Sequence, residues 1–125
     1  MLQIIYIGVG GFLGAVLRFL IVKYFNNIFP SFPAGTLFVN VAGSFLIGLL
    51  AFSFTDGKYL TPELRDLLII GFIGAFTTMS AFAFESVRLF ESANFFYFGL
   101  NLFLNVFLSL IAVVAGREFI LYLSK

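Results

Sequence analysis

Four long apolar stretches, parted by short polar breaks, take up nearly the whole of this sequence. A helix needs about 20 mainly apolar residues to cross the hydrocarbon of a bilayer. The first stretch runs from Leu2 to about Tyr24 and carries Arg18 inside it. Asn26, Asn27, Pro30, Ser31 and Pro33 make a turn-rich break. The second stretch runs from Ala34 to about Phe54 and holds no charge; Thr55, Asp56, Gly57 and Lys58 follow as a loop. Thr61-Pro62-Glu63 has the form of a helix start, with Pro at the first helical position and an acid in the first turn. The third stretch then spans Glu63 to about Phe90, Glu91 to Asn94 form a short link, and the fourth spans Phe95 to Leu123. The pattern predicts an all-α membrane protein of four transmembrane helices, one transmembrane domain over residues 1–125, with no soluble domain left over.

Composition agrees. The chain is 62% hydrophobic and 10% charged, against roughly a quarter charged in soluble domains. The first stretch has no Lys or Arg ahead of it and no small-residue cleavage site after it. It reads as a spanning helix rather than a signal peptide. Cysteine and histidine are both absent. That leaves no thiol nucleophile, no thiolate site, and neither the commonest general base nor the commonest metal ligand. No nucleophile–base set is evident, so an enzyme is not expected. A net charge of +1 gives no reason to expect a nucleic-acid partner.

The third stretch reads GFIGAFTTMSAF in its middle, with Gly71, Gly74, Thr77, Thr78 and Ser80 at bilayer depth. Glycine and threonine lower helix propensity. Two readings follow: close helix packing through small residues, or a broken helix whose freed carbonyls face an ion.

Several polar residues lie where lipid would penalise them. Arg18 can snorkel or pair structurally, and an intramembrane charge is also a candidate functional group. Asn40 sits mid-helix and needs hydrogen-bond partners, either on another helix or along a pore. In the fourth stretch Asn101, Asn105 and Ser109 recur every four residues, with Tyr97 one step before them. That spacing puts all four on one helix face, as a stripe that can line a water-accessible path. Phe82 lies one turn beyond Met79, just after the Gly/Thr segment. The positive edge of its ring can face an anion without a formal charge.

The cationic residues show little sidedness. Lys58, Arg65, Arg117 and Lys125 fall toward one face of the membrane, Lys23 and Arg88 toward the other. A bias this small permits insertion in either orientation.

The stretches GGFLGAVLRF at Gly10 to Phe19, GTLFVNVAGSFLIG at Gly35 to Gly48, and GFIGAFTTMSAFAFE at Gly71 to Glu85 together resemble the Fluc (CrcB) family of fluoride channels. The resemblance covers the whole chain in order and spacing. It implies an antiparallel, dual-topology homodimer with two fluoride pores in the cell membrane, giving passive fluoride export and resistance to fluoride toxicity. It implies a central sodium ion held by the backbone carbonyls of Gly74 and Thr77 of each subunit. Asn40 matches the family's asparagine in the second helix, and Arg18 its arginine near the pore vestibule. Asn101, Asn105 and Ser109 match its polar track, and Thr78 and Ser80 beside the break join the expected pore. The family's pair of pore phenylalanines falls on Met79 and Phe82. Methionine at the first position is a departure, because a polarizable thioether has no ring edge to offer.

Such a pore has a demanding task. Stripping a small ion for a low-dielectric site costs on the order of 20 kcal/mol in the idealised limit. Donors and ring edges must replace the lost water, yet bind weakly enough for release. Two other readings stand beside it. A small multidrug-type transporter also has four short helices, but it needs a carboxylate in the first helix, and none is there. A non-transporting membrane scaffold explains the abundance of Phe and Gly but not the polar stripe.

Overall fold

The computed structural model describes residues 1–53 and 60–125. Among these, the regular structure is all helix, with no strand. Helix α1 covers Leu2–Ile28 and α2 covers Ala34–Ser53. The third span opens with α3, Pro62–Arg65, runs through a π-helical segment, Asp66–Ile73, and closes with one turn, α4, Gly74–Phe76. It resumes as α5, Met79–Glu91, and α6 covers Phe95–Leu123. Among the described residues, four helical runs are long and apolar enough to cross a membrane: Leu2–Ile28, Ala34–Ser53, Pro62–Glu91 and Phe95–Leu123.

The helix ends follow local chemistry. α1 continues past Tyr24 through Asn26 and Asn27, and its last bond is Phe29 N–H to Phe25 C=O at 2.8 Å. Pro30 stops it, because the residue before a proline is pushed out of the helical region. Thr61 caps the third span, its hydroxyl accepting from Leu64 N–H at 3.4 Å, and Pro62 occupies the first turn, where a missing N–H costs nothing. Asn94 caps α6 by accepting from Tyr97 N–H at 3.4 Å. The tight link before it places Ala93 at φ 58°. The expected end of the second helix at Phe54 and the loop from Thr55 to Lys58 lie outside the described residues.

Burial is reversed from that of a soluble protein. Large apolar side chains such as Ile4, Phe12, Phe96, Phe103 and Ile111 point outward, while Thr36, Ser86, Asn101 and Asn105 are buried. Lipid gives apolar groups no reason to hide, so helices associate through close packing and shared hydrogen bonds. The packing uses backbone against backbone. A side chain at Gly10 would collide with the Leu67 carbonyl, and one at Gly14 with that of Phe72, so α1 lies directly on the third span. Gly48 and Gly116 do the same between α2 and α6, against the carbonyls of Val113 and Phe45.

Candidate functional site: the break in the third span

Thr77 and Thr78 are extended, with φ/ψ of −85°/155° and −150°/113°. Between α4 and α5 the helical hydrogen-bond ladder is therefore interrupted at membrane depth. Each backbone group released there needs a partner from elsewhere in the protein.

Asn40, on α2, answers both backbone groups of Thr78. Its Oδ1 accepts from Thr78 N–H at 2.8 Å, and its Nδ2 donates to the Thr78 carbonyl at 3.2 Å and to Asn105 Oδ1 at 3.0 Å. An amide side chain, with two donors and one acceptor oxygen, can serve the N–H and the C=O of one residue together. Thr78 also starts the new helix, its Oγ1 accepting from Ala81 N–H at 3.1 Å as an N-cap does. Thr77 turns its hydroxyl back to the Ile73 carbonyl at 3.0 Å, and its methyl sits where a side chain at Gly43 would have to go. Glycine at position 43 is thus what lets α2 reach the break.

Two carbonyls at the break are left without their helical partners. In an uninterrupted α-helix Thr78 N–H would bond the Gly74 carbonyl, and Ala81 N–H that of Thr77. Here the first goes to Asn40 and the second to the Thr78 hydroxyl. The carbonyls of Gly74 and Thr77 have both lost their helical donors. Arg18 reaches one of them: its Nη1 lies 3.4 Å from the Thr77 oxygen.

From Asn40 the hydrogen bonds run on through the bundle. Asn105 Nδ2 donates to Asn101 Oδ1 at 2.8 Å, Asn101 Nδ2 donates to Ser86 Oγ at 2.9 Å, and Ser86 Oγ donates to the Phe82 carbonyl at 2.7 Å. Four side chains thus link Thr78 to Phe82 through α2, α6 and α5 by five hydrogen bonds, every donor in the series pointing the same way. Bonds in such a series polarise one another. Asn101 is 0% exposed. Of the expected stripe on α6, Asn101 and Asn105 therefore serve to join helices within the chain. Asn105 and Ser109 line a cavity, and Tyr97 packs against Phe32, ring centroids 5.5 Å apart.

That cavity, about 480 Å³, brings together Asn40, Thr77, Thr78, Met79, Phe82 and Ser109. Met79 is 74% exposed and Phe82 only 6%. A second cavity of about 700 Å³ lies on the other side of the break. Arg18, Lys23, Asn26, Thr36, Ser80 and Glu85 line it, and Thr78 borders both cavities. Ser80 Oγ is 3.3 Å from Thr78 Oγ1. The structure thus gathers Arg18, Asn40, Thr77, Thr78, Met79, Ser80, Phe82, Asn105 and Ser109 around the break, with Gly74 one turn before it. Asn101 stands behind them.

Three residues here had no assigned role in the sequence reading. Glu85 accepts from Thr36 Oγ1 at 2.8 Å through Oε1, while its Oε2 is buried without a hydrogen-bond partner. A carboxylate inside a span is itself a signal, and Glu85 closes the third motif. Thr36 and Ser86 carry no such signal, since a hydroxyl in a membrane helix most often bonds its own backbone.

A family model described as CrcB-like protein, Camphor Resistance (CrcB), matches residues 5–117. The chain is 50% identical over 111 residues to a protein of Campylobacter jejuni (strain 81-176) named fluoride-specific ion channel FluC, covering 88% of this chain and 90% of that one. It is 46% identical over 114 residues to the protein of the same name in Campylobacter lari, covering 90% and 93%. It is 44% identical over 117 residues to fluoride-specific ion channel FluC 1 of Methanosarcina acetivorans, covering 94% and 89%. With the match running through all four spans and the break, the chain belongs to the CrcB family.

Proposed function

We propose that this multi-pass membrane protein is a fluoride-specific ion channel that lets fluoride leave the cell passively across the cell membrane. The observation that carries the reading is the break itself. Thr78 borders both cavities: Asn40, Phe82 and Ser109 line the first with it and Ser80 the second, and the hydroxyls of Thr78, Ser80 and Ser109 are uncharged donors there, set on a peptide that Asn40 holds in place. The names of the relatives supply the anion. A small, strongly hydrated anion can exchange water for such donors step by step, each contact weak enough for release. Arg18 and Lys23 in the wider cavity raise the local anion concentration before the narrow stretch. The direct test is fluoride efflux from liposomes loaded with the purified protein. Rapid fluoride efflux with chloride retained is expected. Efflux no faster than from empty liposomes would overturn the reading.

The working unit is an antiparallel homodimer. The cavity around Met79 and Ser109 opens on the flank of a protein surrounded by lipid, so its polar groups need cover. A second copy, inserted the other way up, supplies it, and the small sidedness of the cationic residues permits both orientations. Labelling a tagged terminus from each side of the membrane should give two populations; one population throughout would rule the arrangement out.

A sodium ion sits at the centre of that dimer. The Gly74 and Thr77 carbonyls have lost their helical donors, and a carbonyl-only site without carboxylates suits a monovalent cation. Bound there, a sodium ion would offset the partial negative charge that the lost donors leave on those carbonyl oxygens. Sodium-dependent thermal stability of the dimer would support this; stability indifferent to sodium would exclude it.

A further inference from the structure

Gly10, Gly14 and Arg18 follow one another at four-residue intervals and so share one face of α1. The first two let the helix lie against the carbonyls of Leu67 and Phe72. The third continues the same line of contact to the Thr77 carbonyl, at 3.4 Å. The guanidinium therefore stands beside an oxygen that is also a proposed ligand of the central cation.

We infer that Arg18 is a positioning residue that tunes cation affinity: through the Thr77 carbonyl it holds the sodium site weaker than the bare carbonyls would make it. This rests on the sodium site proposed above. Two effects of Arg18 oppose each other. As a hydrogen-bond donor it helps to orient the carbonyl; as a cation it competes with sodium for the same oxygen. The orienting effect is the smaller. The Thr77–Thr78 peptide is already held at its other end by Asn40, at 2.8 Å. The Arg18 contact, at 3.4 Å, is long for an N–H···O bond. The charge has no such substitute. In a medium of low effective dielectric, two like charges on one carbonyl repel strongly, and a symmetric dimer brings two arginines to bear. A guanidinium cannot relieve this by losing its proton.

The test is a sodium titration of the purified dimer, starting sodium-free and reading the rise in melting temperature, with fluoride efflux measured in parallel. Arg18→Gln should move the midpoint to lower sodium by about tenfold or more. Arg18→Lys, which keeps the charge, should stay near the wild-type midpoint. A purely structural role would lower the melting temperature at every sodium concentration and leave the midpoint in place. Arg18→Met, also neutral, provides the same readout if the Gln variant does not fold. A wild-type titration with an unmoved or raised midpoint in the neutral variants overturns this inference alone. A wild-type protein indifferent to sodium overturns the cation site and this inference with it.

Discussion

Asn40 and Arg18 hold opposite ends of a single peptide group. The Thr77–Thr78 peptide gives its N–H to Asn40 Oδ1 at 2.8 Å and receives Arg18 Nη1 at its oxygen at 3.4 Å. The two side chains come from α2 and α1, so the first two helices together secure the break in the third. The short bond fixes geometry, and the long charged one sets the local field.

Asn40→Asp should be among the most damaging single changes. The carboxylate can still accept from Thr78 N–H, but it sets an acceptor against the Thr78 carbonyl and Asn105 Oδ1, where Asn40 donates. Losing both donations and leaving those acceptors unpaired costs about 2–4 kcal/mol, and a negative charge then faces the anion. Fluoride efflux should fall by more than about 100-fold while the protein still elutes at the wild-type position, since repulsion of roughly 4 kcal/mol is expected at about 4 Å. A well-folded variant conducting like wild type would place the pore elsewhere.

Phe82 and Met79 form an internal comparison. Phe82 is buried at the cavity wall, whereas Met79 is largely exposed. Phe82→Ile keeps an apolar side chain and removes the ring edge, so efflux should drop by about tenfold. Met79→Ala removes a flexible thioether and should lower efflux less. The reverse order in a liposome assay would give the anion contact to the methionine.

Gly8 and Gly10 lie two residues apart on α1 and should respond in opposite directions. A side chain at Gly10 meets the Leu67 carbonyl, whereas one at Gly8 meets nothing within 4 Å. Gly10→Ala must push α1 off the third span and should cost about 2 kcal/mol or more. Gly8→Ala gains helix propensity and should be neutral or stabilising by up to about 1 kcal/mol. Melting temperatures of the two variants in detergent test this directly.

Ala93 occupies left-handed backbone, φ 58°, in the link between α5 and α6. An L-residue with a Cβ gives up about 1 kcal/mol there, and glycine does not. Ala93→Gly should raise the melting temperature by a few degrees without changing fluoride efflux. A lowered melting temperature would mean that the Ala93 methyl makes a packing contact worth more than the strain.

The four spans were legible because hydrophobic length is a local property. Twenty apolar residues in a row suit a lipid environment whatever their neighbours do, and Thr61-Pro62 marks a helix start by its own chemistry. The weakness of the third span was legible for the same reason, as glycines and threonines crowd residues 71–80. Which backbone groups the break releases, and which side chains answer them, is a matter of helices meeting across gaps of 38 and 59 residues in sequence. Asn101 shows the difference plainly. Its four-residue spacing from Asn105 puts the two on one face of α6, and by itself that permits either a pore lining or a tie between helices. Only the tertiary structure, by placing Ser86 2.9 Å from its amide and excluding solvent entirely, makes it a tie. Spacing along a helix specifies a direction; what lies in that direction depends on which helix packs there.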